Sequence, residues 1–244
     1  MKHHYTLTDG IQRKLYDSIY RGLVKQKPEI TFRGWFDSSD IIPVFKYVLL
    51  DHPSLFYVNA SGIEYSGDGR KLSIHVEYSY GKHEISGLRQ KIKEKVGLSL
   101  LPMLLRESNA YEQEKRIYDY ITQNTEYSRV FRDEKSNYNI IGPLLFDQSV
   151  CEGSAKAFKY LCDIIKLPCI VVAGSAIDTY GHNELHAWNI VSIEKRYYQT
   201  DVTWDSMKDG RKSGHNYFNL TDEEMKKDHS WDIALYPKCN TKFP

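Results

Sequence analysis

Cys151 in Ser-Val-Cys-Glu-Gly, His186 in Leu-His-Ala-Trp-Asn and Asp201 in Gln-Thr-Asp-Val-Thr-Trp follow one another along the chain. They supply a nucleophile, a base and a carboxylate to orient that base, the minimum set for covalent acyl transfer through a thioester. Each alone has an ordinary reading. A single cysteine usually packs as a small hydrophobe, a strand histidine is commonly structural, and a strand-end aspartate commonly forms a turn. Their order and local context make the joint case stronger than any single residue does.

The elements that must position them are readable. Ser149 followed three positions later by Glu152 is a capping-box pattern, with Ser149 as N-cap. Phe158, Leu161, Cys162 and Ile165 then give one apolar helical face, which ends near Lys166-Leu167-Pro168. This register places Cys151 in the first helical turn, where unpaired N–H groups and the positive end of the helix dipole favour a thiolate. The Cys151 N–H is the first candidate donor to an oxyanion, and the Gln148 side-chain amide is a candidate second. Ile170 to Gly174 reads as a buried strand, and further strands fall near 185–192 and 196–204 after a loop over 179–183 that holds His182, read as solvated. His186 shares a strand face with Trp188 and Ile190. If the last two strands are antiparallel neighbours, His186 and Asp201 can hydrogen-bond. One helix followed by consecutive strands predicts an α+β layout, with the nucleophile helix packed on an antiparallel sheet.

The first hundred residues read as a mixed α/β extension. Ile11, Leu15, Ile19 and Leu23 recur at helical spacing, Ile30 to Phe32 is a short strand, and the cluster Asp37-Ser38-Ser39-Asp40 starts a second helix that His52-Pro53 stops. Leu72, Ile74, Val76, Tyr78 and Tyr80 alternate with polar residues, and the turn Gly67-Asp68-Gly69 pairs that strand with one around Ile63-Glu64-Tyr65. A helix over 83–101 follows, and another runs through Glu112, Ile117 and Ile121. We set the boundary near 105, giving an extension over 1–105 and a catalytic core over 106–244. No Gly/Ser- or Pro-rich linker separates them, so the extension is expected to pack on the core and to cover its cleft.

Composition excludes several classes. A net charge of +1 over 244 residues gives no field for nucleic acid or an acidic membrane. No apolar run approaches the roughly 20 residues of a membrane span, and the N-terminus lacks a signal-peptide core, so a cytoplasmic location is expected. The four cysteines, 151, 162, 169 and 239, lack disulfide-framework or C-x-x-C spacing and read as free thiols. Cys162 lies about 16 Å along the helix from Cys151 and reads, like Cys169, as core, whereas Cys239 reads as exposed. Trp188 and Trp204 are candidate walls of a substrate groove. No metal site or cofactor is expected.

From Cys151 to Trp204 the chain resembles the transglutaminase-like superfamily, papain-type folds with Cys-His-Asp triads. The resemblance is carried by Val150-Cys151-Glu152-Gly153, by Leu167-Pro168 before a hydrophobic strand, by His186-Ala187-Trp188-Asn189 and by Asp201-Val202-Thr203-Trp204-Asp205. More loosely, Asp51-His52-Pro53-Ser54-Leu55-Phe56-Tyr57-Val58 is similar to the N-terminal region of bacterial members. The chain departs from many of these at Ser154, where they carry Tyr. The resemblance implies Cys151 as nucleophile, His186 as general base and acid, and Asp201 as orienting carboxylate, with a peptide or protein substrate. Calcium dependence does not carry over, because no D-x-D-x-D-G loop is present. A thiol enzyme acting on amides is expected, with a narrow preference for hydrolysis over transamidation since water needs no second site. The alternative is a non-catalytic module of the same family that binds protein or carbohydrate. Oligomeric state is left open.

Overall fold

The computed structural model describes residues 1–68, 70–107, 109–128, 134–177, 180–206 and 214–244. Gly69 of the anticipated turn and Thr179 of the anticipated loop lie outside these. The chain divides into two units, Lys2–Gln90 and Lys91–Pro244.

In the N-terminal unit a short helix α1 (His3–Thr6) precedes α2 (Gly10–Val24), β1 (Glu29–Arg33), α3 (Ser38–Asp51), β2 (Val58–Gly67), β3 (Lys71–Tyr78) and the start of α4 (Lys82–Lys95). Helix α2 buries Leu15, Ile19 and Leu23 of the stripe anticipated from spacing, whereas Ile11 in its first turn is exposed; Asp9 caps the helix, and its own N–H donates back to the Gln12 side chain. Asp37 caps α3 by accepting from the Ser39 N–H. The alternating strand β3 buries Leu72, Ile74 and Val76 and lies at the centre of an antiparallel sheet ordered β1-β3-β2.

The C-terminal unit continues through a π-helical turn at Val96–Leu100 into α5 (Leu101–Leu104), then α6 (Ala110–Asn124), β4 (Glu126–Tyr127), α7 (Glu134–Asn137), a second π-turn at Gly142–Phe146, and β5 (Gln148–Ser149). Helix α8 (Cys151–Ile164) follows, with β6 (Cys169–Ile177), β7 (Asn183–Ile193), β8 (Arg196–Thr200), α9 (Asp222–Met225) and β9 (His229–Ser230). Strands β6 to β9 form an antiparallel sheet in the order β8-β7-β6-β9. The α+β class and the helix-on-sheet layout expected from the sequence are thus observed.

Helix α8 packs on β6 and β7, and the Asn189 amide on β7 donates to the Ala155 carbonyl of the helix at 3.0 Å. Alternation turns Trp188 and Ile190 to the opposite face. There they form a core with Ile170, Val172, Met225 and Cys239, against which Tyr217, Trp231 and Tyr236 pack. Burying each such large side chain stabilises by roughly 1.5–3 kcal/mol. Cys239 is therefore not exposed as anticipated: the C-terminal segment covers this sheet face, and Asp222 accepts the Cys239 N–H at 3.1 Å. All four cysteines are free thiols. Among the described residues no helix is long and apolar enough to cross a membrane.

Candidate active site

Helix α8 starts one residue later than the capping-box pattern predicts. Its N-cap is Val150, without a side-chain cap. Ser149 is committed elsewhere: β5 pairs in parallel with β4, Ser149 opposite Tyr127, and the Ser149 carbonyl accepts the Ser128 N–H at 2.9 Å. With strand geometry imposed, the Ser149 hydroxyl pairs with the Ser154 hydroxyl at 2.5 Å, and Glu152 instead binds Lys156 one turn on. Cys151 consequently occupies the first helical position. Gly153 permits this placement, since a Cβ there would collide with the Asn137 carbonyl oxygen, the group that accepts the Val150 N–H at 3.1 Å.

His186 and Asp201 meet because β7 and β8 are antiparallel neighbours, with Asn189 opposite Thr200 and Asp201 immediately past the strand end. His186 Nε2 lies 2.7 Å from Asp201 Oδ2. The ring also interacts with the Cys151 thiol, so carboxylate and thiol both act on the same imidazole. Burial would lower the His186 pKa, but the charge and hydrogen bond of Asp201, followed by the hydrogen bond to Cys151, push it up to about 10. Burial would raise Asp201, yet His186, and after it His229, hold this carboxyl well below the usual carboxylate range.

Asp201 is fully buried and tied down on every side. Its Oδ1 accepts the Thr203 N–H at 2.8 Å, its own N–H donates to the Tyr217 carbonyl at 2.8 Å, and its carbonyl accepts the Tyr118 hydroxyl at 3.2 Å. Tyr118 also donates to Asp205, which accepts the Tyr217 N–H at 2.6 Å. Glu114 lies in the same wall, with Asn219 donating to it at 2.8 Å. Its complete burial pushes its pKa to about 8, against the lowering effect of Asn219 and Thr200.

The other anticipated residues separate. Trp204 is half-buried and packs against His186 at a ring-centroid distance of 5.7 Å, so it remains a candidate wall beside the triad. Trp188 is not a groove wall. It is 0 % exposed, its indole N–H donates to Gln199 at 2.7 Å, and it backs the His186 ring from within the core. Gln148 is exposed on β5, opposite Glu126. Cys162 and Cys169 are buried, as expected of core thiols.

Two side chains near the triad escaped the sequence reading. Tyr127, opposite Ser149, has its phenol pushed up to about 12 by burial and then by Cys151 and Glu184, and so stays a proton donor. His229 on β9 is buried with Nε2 3.2 Å from Asp201 Oδ2. The dipeptide Asp228-His229 lies 27 residues beyond Asp201 in a stretch without period or motif, and only the pairing of β9 with β6 brings it to the site. The ligating atoms of His186, Asp201 and His229 lie within 4.8 Å of one another, a spacing a metal ion could use. Hydrogen bonds account for the same contacts without one.

Residues 102–202, which contain all three triad positions, match the family model described as the transglutaminase-like superfamily. The kyphoscoliosis peptidases of Mus musculus and Homo sapiens are each 27 % identical over 127 residues, a match covering 48 % of this chain and 19 % of theirs. The chain thus spans about a fifth of the length of these curated relatives. A solved structure of a TGase is similar at 15 % identity and TM-score 0.41, covering 78 % of this chain and 54 % of that one. On the family match, the segment from residue 102 to residue 202 belongs to the transglutaminase-like superfamily.

Proposed function

We propose that the C-terminal unit is a cysteine-dependent acyl-transfer enzyme that acts on peptide or protein amides through a thioester at Cys151, with water as the favoured acceptor. The observation that carries this reading is the imidazole of His186 held between Asp201 and a thiol that opens a helix. A protonated His186 beside Cys151 favours the thiolate, which attacks the amide carbonyl carbon. The first-turn N–H groups of α8, with that of Cys151 foremost, receive the oxyanion. His186 gives its proton to the leaving nitrogen, the C–N bond breaks, and an amine departs. Water then attacks the thioester while His186 takes its proton, releasing a carboxylic acid and returning the thiol. Asp201 holds the ring in place through both steps. An amine in place of water would give transamidation.

Trapping tests the reading. Incubation with a mixture of unstructured peptides, acid quenching and intact mass measurement should reveal an acyl adduct on Cys151 in wild type and none in Cys151→Ala. New peptide termini identify hydrolysis at main-chain amides, and a +1 Da change at Gln identifies deamidation. Absence of adduct and product across broad peptide and protein mixtures, with binding unchanged in Cys151→Ala, would favour the non-catalytic module.

A further inference from the structure

Asp201 Oδ2 receives two histidines. His186 Nε2 lies 2.7 Å from it and His229 Nε2 lies 3.2 Å from it. On its other side, His229 Nδ1 sits 2.5 Å from Asp228 Oδ1. Both ring nitrogens of His229 therefore face carboxylate oxygens. A neutral imidazole has one N–H and an ionised carboxylate only accepts, so a neutral ring between two carboxylates would leave one contact with no proton in it. The ring is thus placed to donate to Asp201, to Asp228, or to both when each of its nitrogens carries a hydrogen.

The setting preserves this arrangement. His229 is packed among Trp188, Trp204 and Tyr217, at ring-centroid distances of 5.0, 4.4 and 5.6 Å. The Tyr217 hydroxyl donates to Asp228 Oδ2 at 2.6 Å. Water is excluded from the ring, which stands 5.2 Å from that of His186. The charged and titratable groups facing it are Asp228 on its own segment, Asp201 after β8, His186 on β7 and the Tyr217 hydroxyl, with Asp205 behind Tyr217.

We propose that His229 is a positioning residue for the chemistry at Cys151: it gives Asp201 a second N–H, aims that carboxylate at His186, and places a proton-bearing group behind the triad. The inference rests on the acyl-transfer reading of Cys151. A carboxylate in a site of low dielectric needs partners to stay charged, and the Thr203 N–H and His186 leave room on Oδ2 for one more. Removing the His229 ring takes a hydrogen-bond donor from Asp201 and leaves the Asp228 carboxylate without its ring partner. Asp201 then takes up protons more readily and the thiolate at Cys151 is disfavoured, so both effects move thiolate formation to higher pH.

The test is the pH profile of iodoacetamide alkylation at Cys151, read by peptide mass spectrometry in folded protein. The variants are His229→Leu, His229→Gln and Asp228→Asn, beside wild type and His186→Ala. His229→Leu should raise the acid midpoint by about one pH unit. Asp228→Asn, which leaves the triad and His229 in place, should raise it by about half a unit. His229→Gln, which keeps an N–H toward Asp201, should restore part of the loss. A solely structural His229 would lower thermal stability and leave the midpoint unmoved. Unchanged midpoints in Asp228→Asn and in whichever His229 variant folds overturn the proposal. Stoichiometric Zn²⁺ binding by wild type that His229→Gln abolishes overturns it too, because the three side chains would then be ligands. If wild type reacts as an ordinary thiol and His186→Ala matches it, the acyl-transfer reading fails first and takes this proposal with it. A low-pH limb lost in His186→Ala but unmoved in the other variants sinks only the role of His229.

Discussion

Each unit buries an aspartate against a histidine. In the N-terminal unit Asp51 accepts the His4 and Tyr5 N–H groups, the Tyr16 hydroxyl at 2.9 Å, and faces His4 Nδ1 at 2.9 Å. Its bonds with His4 and Tyr16 hold its carboxyl below the ordinary range against the upward push of burial. In the C-terminal unit Asp201 faces His186 Nε2 at 2.7 Å and is lowered in the same way. The two pairs bring the same two groups together, and they differ in what the histidine does next. The His4 ring stacks on Tyr47, and its aspartate ties the start of α1 to the end of α3. The His186 ring reaches a thiol at the first position of a helix. A buried His–Asp pair is thus a fastening wherever it occurs; a nucleophile interacting with the ring is what can turn it into chemistry.

That contrast can be broken by substitution. The largest expected effect is at the thiol and its base: Cys151→Ala and His186→Ala should each lower turnover by about 10³-fold or more, whereas His4→Ala should leave turnover of the folded protein unchanged. Asp201→Asn comes next, with a loss of about 10²-fold or more and an altered pH profile, because the ring loses the anion that keeps it protonated. With the His186 pKa near 10, above its ordinary value near 6.5, the stabilisation from this pair is fully present below pH 6.5. It is lost as pH rises toward about 10. Asp51→Asn should act on folding alone, removing about 3 kcal/mol by leaving its donors without an anion, as read by denaturant unfolding, with the Cys151 alkylation profile unmoved. Gly153→Ala tests the helix placement: the clash with Asn137 should lower Cys151 alkylation at pH 6 several-fold, with a loss of about 1–3 kcal/mol in stability.

The smallest effect is a gain. Glu114 keeps its proton in the fold up to about pH 8, while in the unfolded chain it ionises near 4.3. Stability therefore falls as pH rises between those values. Glu114→Gln should remove this slope and raise Tm at pH 8 by about 3 °C, with little change at pH 4.

Much of this was legible in the sequence for physical reasons. The amphipathic helix α2, the alternating strand β3 and the ordered Cys, His and Asp blocks depend on local spacing, which the chain displays directly. The cap of α8 was misread because Ser149 answers to a strand partner, Tyr127, 22 residues away, and tertiary pairing overrode the local motif. Trp188 and Cys239 were misplaced because the C-terminal segment that buries them carries no periodic signal. His229 was missed for the same reason: its meaning depends on β9 docking beside β6, a contact between residues more than 50 apart.

The most direct test of the central claim is the rate of Cys151 alkylation against pH in wild type and in His186→Ala. The account predicts rapid labelling well below pH 8 in wild type, and a profile displaced upward toward that of a free thiol in the variant. Identical free-thiol profiles in both proteins would contradict it, because the imidazole would then exert no influence on the sulfur beside it.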